Sequence, residues 1–163
     1  MRTATENGSS VSSLRTDVAE RYHTLGLRSW PVPDRDEPRP EEYERVTDPE
    51  RYTIVFAQAR LWPERLGELP GVQVEPIEVG DFDRGTWVVP DRSGTQPLLF
   101  LERDGSPPVL RICLARPDVV LETLPDCGCD ACGRGSDGLL ENVVTDVVTG
   151  PYVVLQVNQP WPA

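Results

Sequence analysis

Between Ser10 and Leu25 the apolar residues Val11, Leu14, Val18, Tyr22 and Leu25 recur at three- and four-residue spacing, the pattern of one helix face. Gly26 is the expected stop. Prolines then crowd residues 29–41 too densely for regular structure, so a connecting loop is expected there, with Trp30 pinning it to the core. A short helix is expected around Glu41–Val46. Asp48-Pro49 has the form of an N-cap followed by a first-turn proline. It should open a helix whose inner face is Tyr52, Val55, Ala59, Trp62 and Leu66. Pro63 should kink that helix or end its regular bonding, and Leu69-Pro70-Gly71 closes it.

From Val72 the period changes towards two. Val72, Val74, Ile77 and Val79 approximate alternation around Pro76, the mark of an edge strand. Thr86–Val89, Leu98–Glu102 and Val109–Ala115 are further strands, separated by Asp/Gly-rich turns too short for parallel crossovers. Asp81-Phe82-Asp83 reads as a solvated turn of that series. Pro117–Leu124 reads as a short helix. Leu139, Leu140, Val143, Val144, Val147 and Val148 pair up at helical period, capped by Ser136 or Asp137 and ended by Gly150, although their valine content makes a strand pair the competing reading. Residues 151–157 alternate enough for a last strand. The expectation is therefore one α+β domain over residues 11–158: N-terminal helices packed on an antiparallel meander sheet, a Cys-rich turn, then a C-terminal helix and last strand. Residues 1–10 and 159–163 are expected to be tails, the first disordered.

Composition narrows the chemistry. The 163 residues carry a formal charge of −11, which disfavours nucleic acid, because binding phosphates requires a basic surface. An acidic chain suits solubility or a basic protein partner. No apolar run reaches the length of a membrane span, and the first ten residues lack the apolar core of a secretory signal. A cytoplasmic location is the default, where four thiols argue against structural disulfides. All 16 basic residues are arginine. There can be no Schiff-base lysine, phosphate-loop lysine or lysine general base, and arginine stays protonated. His23 is the single histidine, which excludes histidine clusters and reads as a surface or half-buried side chain.

What remains is Pro125-Asp126-Cys127-Gly128-Cys129-Asp130-Ala131-Cys132-Gly133-Arg134-Gly135-Ser136. Cys127, Cys129 and Cys132, two and three residues apart in a turn that Gly128 allows to be tight, can converge on one ion. Zinc is the favoured metal, because thiolates are soft donors. A closed site wants a fourth ligand, for which Asp126, Asp130, Cys113, His23 or water are candidates; water would leave the position open. Cys113, within Leu110–Leu114, has the bland reading of a small buried hydrophobe. Two further readings stay open: reduced cysteines with no ligand, and thiol redox chemistry at Cys129-Asp130-Ala131-Cys132. Two neighbouring aspartates and a helix that starts only near Ser136 count against the redox reading. Gly133-Arg134-Gly135-Ser136-Asp137-Gly138 matches a dinucleotide fingerprint formally but comes after no strand, so it is discounted. No set of catalytic residues emerges.

The cysteine block through Cys132, with Gly135-Ser136 and Leu139-Leu140-Glu141, resembles an uncharacterised bacterial family known only as a domain of unknown function. Tyr43-Glu44-Arg45-Val46-Thr47-Asp48-Pro49-Glu50-Arg51-Tyr52 is similar to the same family. The resemblance implies a small cytoplasmic protein and supplies no activity or cofactor. The function that fits these readings is a non-enzymatic acidic binding protein whose cysteine turn holds structural zinc. The alternatives are an enzyme with an open three-thiolate metal site or thiol-redox activity, and an acidic immunity or inhibitor protein for a basic partner.

Overall fold

The computed structural model of the chain describes residues 11–149, with Arg92 and Gly94 excepted. The tails over 1–10 and 159–163 and the last strand over 151–157 lie outside the described residues. Helix α1 spans Val11–Thr24 and α2 spans Ile54–Leu66. Five strands come next, β1 (Val72–Pro76), β2 (Arg84–Pro90), β3 (Leu98–Arg103), β4 (Val109–Leu114) and β5 (Val120–Leu124), and then α3 (Ser136–Thr149). The sheet order is β1-β2-β3-β4-β5 with every neighbour antiparallel, the expected meander. Among the described residues no helix is long and apolar enough to cross a membrane.

The helices bury one face of the sheet. Tyr52, Val55, Ala59, Trp62 and Leu66, the expected inner face of the second helix, are all buried, Trp62 completely. They pack with Leu14 and Val18 of α1, with Leu139 and Val143 of α3, and with Val88, Leu98, Phe100, Leu110 and Ile112 of the strands. Leu139 and Val143 are buried while Glu141 between them is exposed, which a helix produces and a strand, with 139, 141 and 143 on one face, does not. Alternation along β3 sends Leu99 and Leu101 to the opposite face, where they join Cys113 under Ile77, Val79, Phe82 and Trp87. β3 is thus apolar through Leu101 because both of its faces are covered.

Four local expectations differ from the structure. Leu25 is 46% exposed, because α1 ends at Thr24 and Gly26, at φ 60°, turns the chain away before the stripe is complete. Asp48 is itself left-handed and makes no side-chain cap; it pairs with Arg28. Pro49–Thr53 is consequently a 3₁₀ turn, with α2 starting at Ile54. α2 continues through Pro63, which lies within its last turn. Finally, residues 120–124 are not a helix but β5. The turn after β4 is completed at Arg116–Val119, so the five residues beyond it are too few for a stable helix but enough to pair with the edge of β4.

Candidate metal centre

The cysteine turn occupies the connection between β5 and α3, with Asp130–Cys132 forming a single 3₁₀ turn. It is held from three directions. From below, Gly128 packs so closely on the Pro107 ring that an added Cβ would stand 2.7 Å from Pro107 Cγ. Gly128→Ala should therefore destabilise the fold by about 1–2 kcal/mol, the cost of overpacking, readable as a lower denaturant midpoint. From the α3 side, Trp30 and Ser136 clasp each other: Trp30 N–H donates to Ser136 Oγ and Ser136 N–H donates to the Trp30 carbonyl, both at 3.0 Å. Trp30 Nε1 also donates to the Arg134 carbonyl at 2.7 Å. The proline-rich loop is pinned by Trp30 as expected, and what it is pinned to is the cysteine turn.

The third hold is Asp130. Its Oδ1 accepts from Thr47 N–H at 2.7 Å, and its Oδ2 accepts from Thr47 Oγ1 at 2.7 Å and Arg45 Nε at 2.6 Å. Its backbone N–H donates to the Arg45 carbonyl at 2.7 Å, and its carbonyl accepts from Arg35 at 2.6 Å. Hydrogen bonds from the Thr47 and Arg45 side chains hold the carboxyl down at about 2. Asp130 is an anchor. Asp130→Ala should cost about 1–2 kcal/mol, the lower end for hydrogen bonds to a charged group because the site is partly solvated. Thermal melts of the two proteins in one buffer check this.

Fixed in this way, the turn brings the sulfurs of Cys127, Cys129 and Cys132 within 4.8 Å of one another, with Cys127 Sγ–H donating to Cys129 Sγ at 3.3 Å. All three are free thiols; Cys129 is buried, and Cys127 and Cys132 are exposed. Sulfurs bound tetrahedrally to zinc at ~2.3 Å lie about 3.8 Å apart, so the trio needs at most a contraction of about 1 Å to close on an ion. Burial pushes the Cys129 thiol up, but hydrogen bonds from Cys127 and from Cys132 and Ala131 outweigh it and the thiol is made more acidic. Cys132 moves the other way, to about 11, because it donates to Cys129 and Cys127 and neighbours their charge. Cys129 is thus favoured to ionise before Cys132, whose ionisation is resisted, a repulsion that a bound cation removes.

Beside the sulfurs lies a cavity of about 140 Å³. Cys127 and Cys132 form one part of its wall, Tyr52, Pro125 and Leu139 an apolar part, and Asp126 and Arg134 the charged part. Tyr52 is fixed by Trp30, which meets it edge-on at 6.0 Å, and by the Arg51 guanidinium over both rings at 4.9 and 5.0 Å.

A family model described as a family of unknown function, DUF6226, matches residues 18–161. The chain belongs to DUF6226. No curated protein and no solved structure matches it.

In this DUF6226 chain the two blocks singled out in the sequence, about eighty residues apart, meet. Arg45 and Thr47 of the first hold Asp130 of the second, and Tyr52 of the first shares a cavity wall with Cys127 and Cys132. The remaining ligand candidates are dispersed. Cys113 is buried on the far face of the sheet, its thiol donating to the Pro117 carbonyl at 3.5 Å, and burial raises its pKa. His23 is exposed in the last turn of α1. Asp126 is exposed and lines the cavity without joining the sulfur group. Pro107 carried no signal of a role at this site; Trp30 carried only its isolation in a proline-rich loop, and Arg45 and Thr47 only their place in the block that resembles the family.

Proposed function

We propose that this chain is a zinc-binding domain whose ion, held by Cys127, Cys129 and Cys132, fixes the junction between the sheet and α3, and that it works by binding rather than by catalysis. The observation that carries this reading is the convergence of three free thiols within 4.8 Å on a turn anchored by contacts other than the sulfurs themselves. Thiolates favour zinc over the harder divalent ions. The residues around the turn support a binding role: Asp130 is consumed in holding the loop, Tyr52 is clamped by Trp30 and Arg51, and the one histidine is not part of the sulfur group. The acidic surface fits a basic protein partner, with a charge of −11 to complement it.

Metal analysis of protein purified without chelator tests the reading. Zinc near one equivalent per chain is expected, with Cys127, Cys129 and Cys132 protected from thiol reagents until chelator is added. Less than about a tenth of an equivalent, with those thiols reacting freely, would end it.

A further inference from the structure

We infer that the fourth ligand of the ion comes from outside the chain and is a small thiol, which reaches the metal through the cavity beside Cys127 and Cys132. The inference rests on the zinc reading above and adds the class of ligand that completes the site. Three protein sulfurs leave a tetrahedral ion one position short. Among the described residues no fourth cysteine, histidine or carboxylate joins the group. Asp130 spends its oxygens on Thr47 and Arg45, and Cys113 is covered on the other face of the sheet. The two exposed sulfurs front the cavity while Cys129 lies buried behind them, so an ion bound to all three borders that space.

The cavity walls select among exogenous donors. At about 140 Å³ the space is well below the ~300 Å³ at which drug-sized sites begin, which excludes nucleotides and peptide side-chain arrays but admits a few heavy atoms. Pro125, Leu139 and the Tyr52 ring offer apolar surface to a short carbon stem. An ion already carrying soft donors favours sulfur over oxygen at its last position. Asp126 and Arg134 on the same wall offset each other, and Arg134 accommodates the extra negative charge of a fourth anionic donor, so the softness of the donor and not its charge selects sulfur. Binding involves no electron transfer: the thiol coordinates as a thiolate, its proton passes to bulk solvent, and solvent leaves the position.

Cobalt(II), loaded in place of zinc under anaerobic conditions, makes the coordination visible. Titration with 2-mercaptoethanol should increase the near-ultraviolet thiolate-to-cobalt absorption saturably by about one third, the step from three thiolates to four. Ethylene glycol, the oxygen analogue, should leave the spectrum unchanged. Leu139→Phe, which narrows the cavity, should keep the cobalt stoichiometry and raise the half-saturating thiol concentration at least about tenfold, equivalent to 1.4 kcal/mol. Arg134→Glu changes only an exposed side chain and should weaken the response several-fold, so the experiment does not depend on Leu139→Phe folding. Cobalt bound with a spectrum that the thiol does not alter overturns the inference alone. So does a spectrum that changes in Asp126→Asn before any thiol is added, or loss of cobalt to the thiol. Failure of the chain to bind cobalt or zinc overturns both this inference and the zinc reading.

Discussion

Cys129→Ser is expected to lower bound zinc from near one equivalent to less than about a tenth, and to lower the melting temperature by about 10 °C. Cys129 is the buried member of the trio, accepting from Cys127 Sγ and facing the backbone of the 3₁₀ turn. A serine hydroxyl there is a poor donor to a soft ion, and the two exposed sulfurs that remain cannot hold one against solvent. An ion bound only by the folded chain and present at 100 to 1,000 times its dissociation constant contributes about 3–4 kcal/mol. In a chain of this size each kcal/mol moves the melting point by roughly 2–4 °C. Chelator should reproduce the same drop in the natural sequence and have no effect on the variant. Cys113→Ser, on the far side of the sheet, should retain full zinc. Zinc retained in Cys129→Ser, or a melting point indifferent to chelator, would show that the trio is not the site.

The sheet and the helices were legible in the sequence because burial imposes its period on the residues. Tyr52, Val55, Ala59, Trp62 and Leu66 mark a helix face whatever the element packs against, and the short Asp/Gly turns leave little besides a meander. β5 was not legible. Val119-Val120-Leu121 is compatible with either element over so short a stretch, and its strand form is set by the open edge of β4, a partner no local pattern shows. The candidate site divides in the same way. Cysteine spacing is local, so the three sulfurs could be read directly. The fate of Asp130 could not, because an aspartate between two cysteines looks like a ligand until Arg45 and Thr47 arrive from about eighty residues away and claim it. The cavity is likewise a product of tertiary contact, assembled from Tyr52, the turn and the first turns of α3.

The second large effect is expected away from the cysteines. Glu102 faces the helix side of β3 and is only 6% exposed, which would be costly for a carboxylate without partners. Arg60 of α2 donates to it through Nε at 2.9 Å and through its terminal nitrogen at 2.6 Å, and Arg84 of β2 donates through Nε at 2.7 Å. Arg84 continues to Asp104 at 2.9 and 2.5 Å, and both guanidiniums lie over the Phe56 ring at 5.8 and 5.7 Å. Glu102→Ala removes the shared acceptor and leaves two cations facing each other over that ring. Breaking a fully buried pair costs about 3–5 kcal/mol; here the arginines are about half exposed and water can reach them, so the expected loss is about 2–3 kcal/mol. Glu102→Gln keeps one acceptor and should lose less. Arg84→Ala added to Glu102→Ala should cost less than the two single losses together, because the second change removes a charge the first had orphaned. Neither arginine lines the cavity or anchors the cysteine turn, so zinc stoichiometry should stay near one in all these variants. The drop in melting point should also be the same with and without chelator. That independence is the control Cys129→Ser needs: a variant that loses most of that stability while keeping its metal shows that zinc loss in Cys129→Ser comes from the missing sulfur and not from a weakened fold.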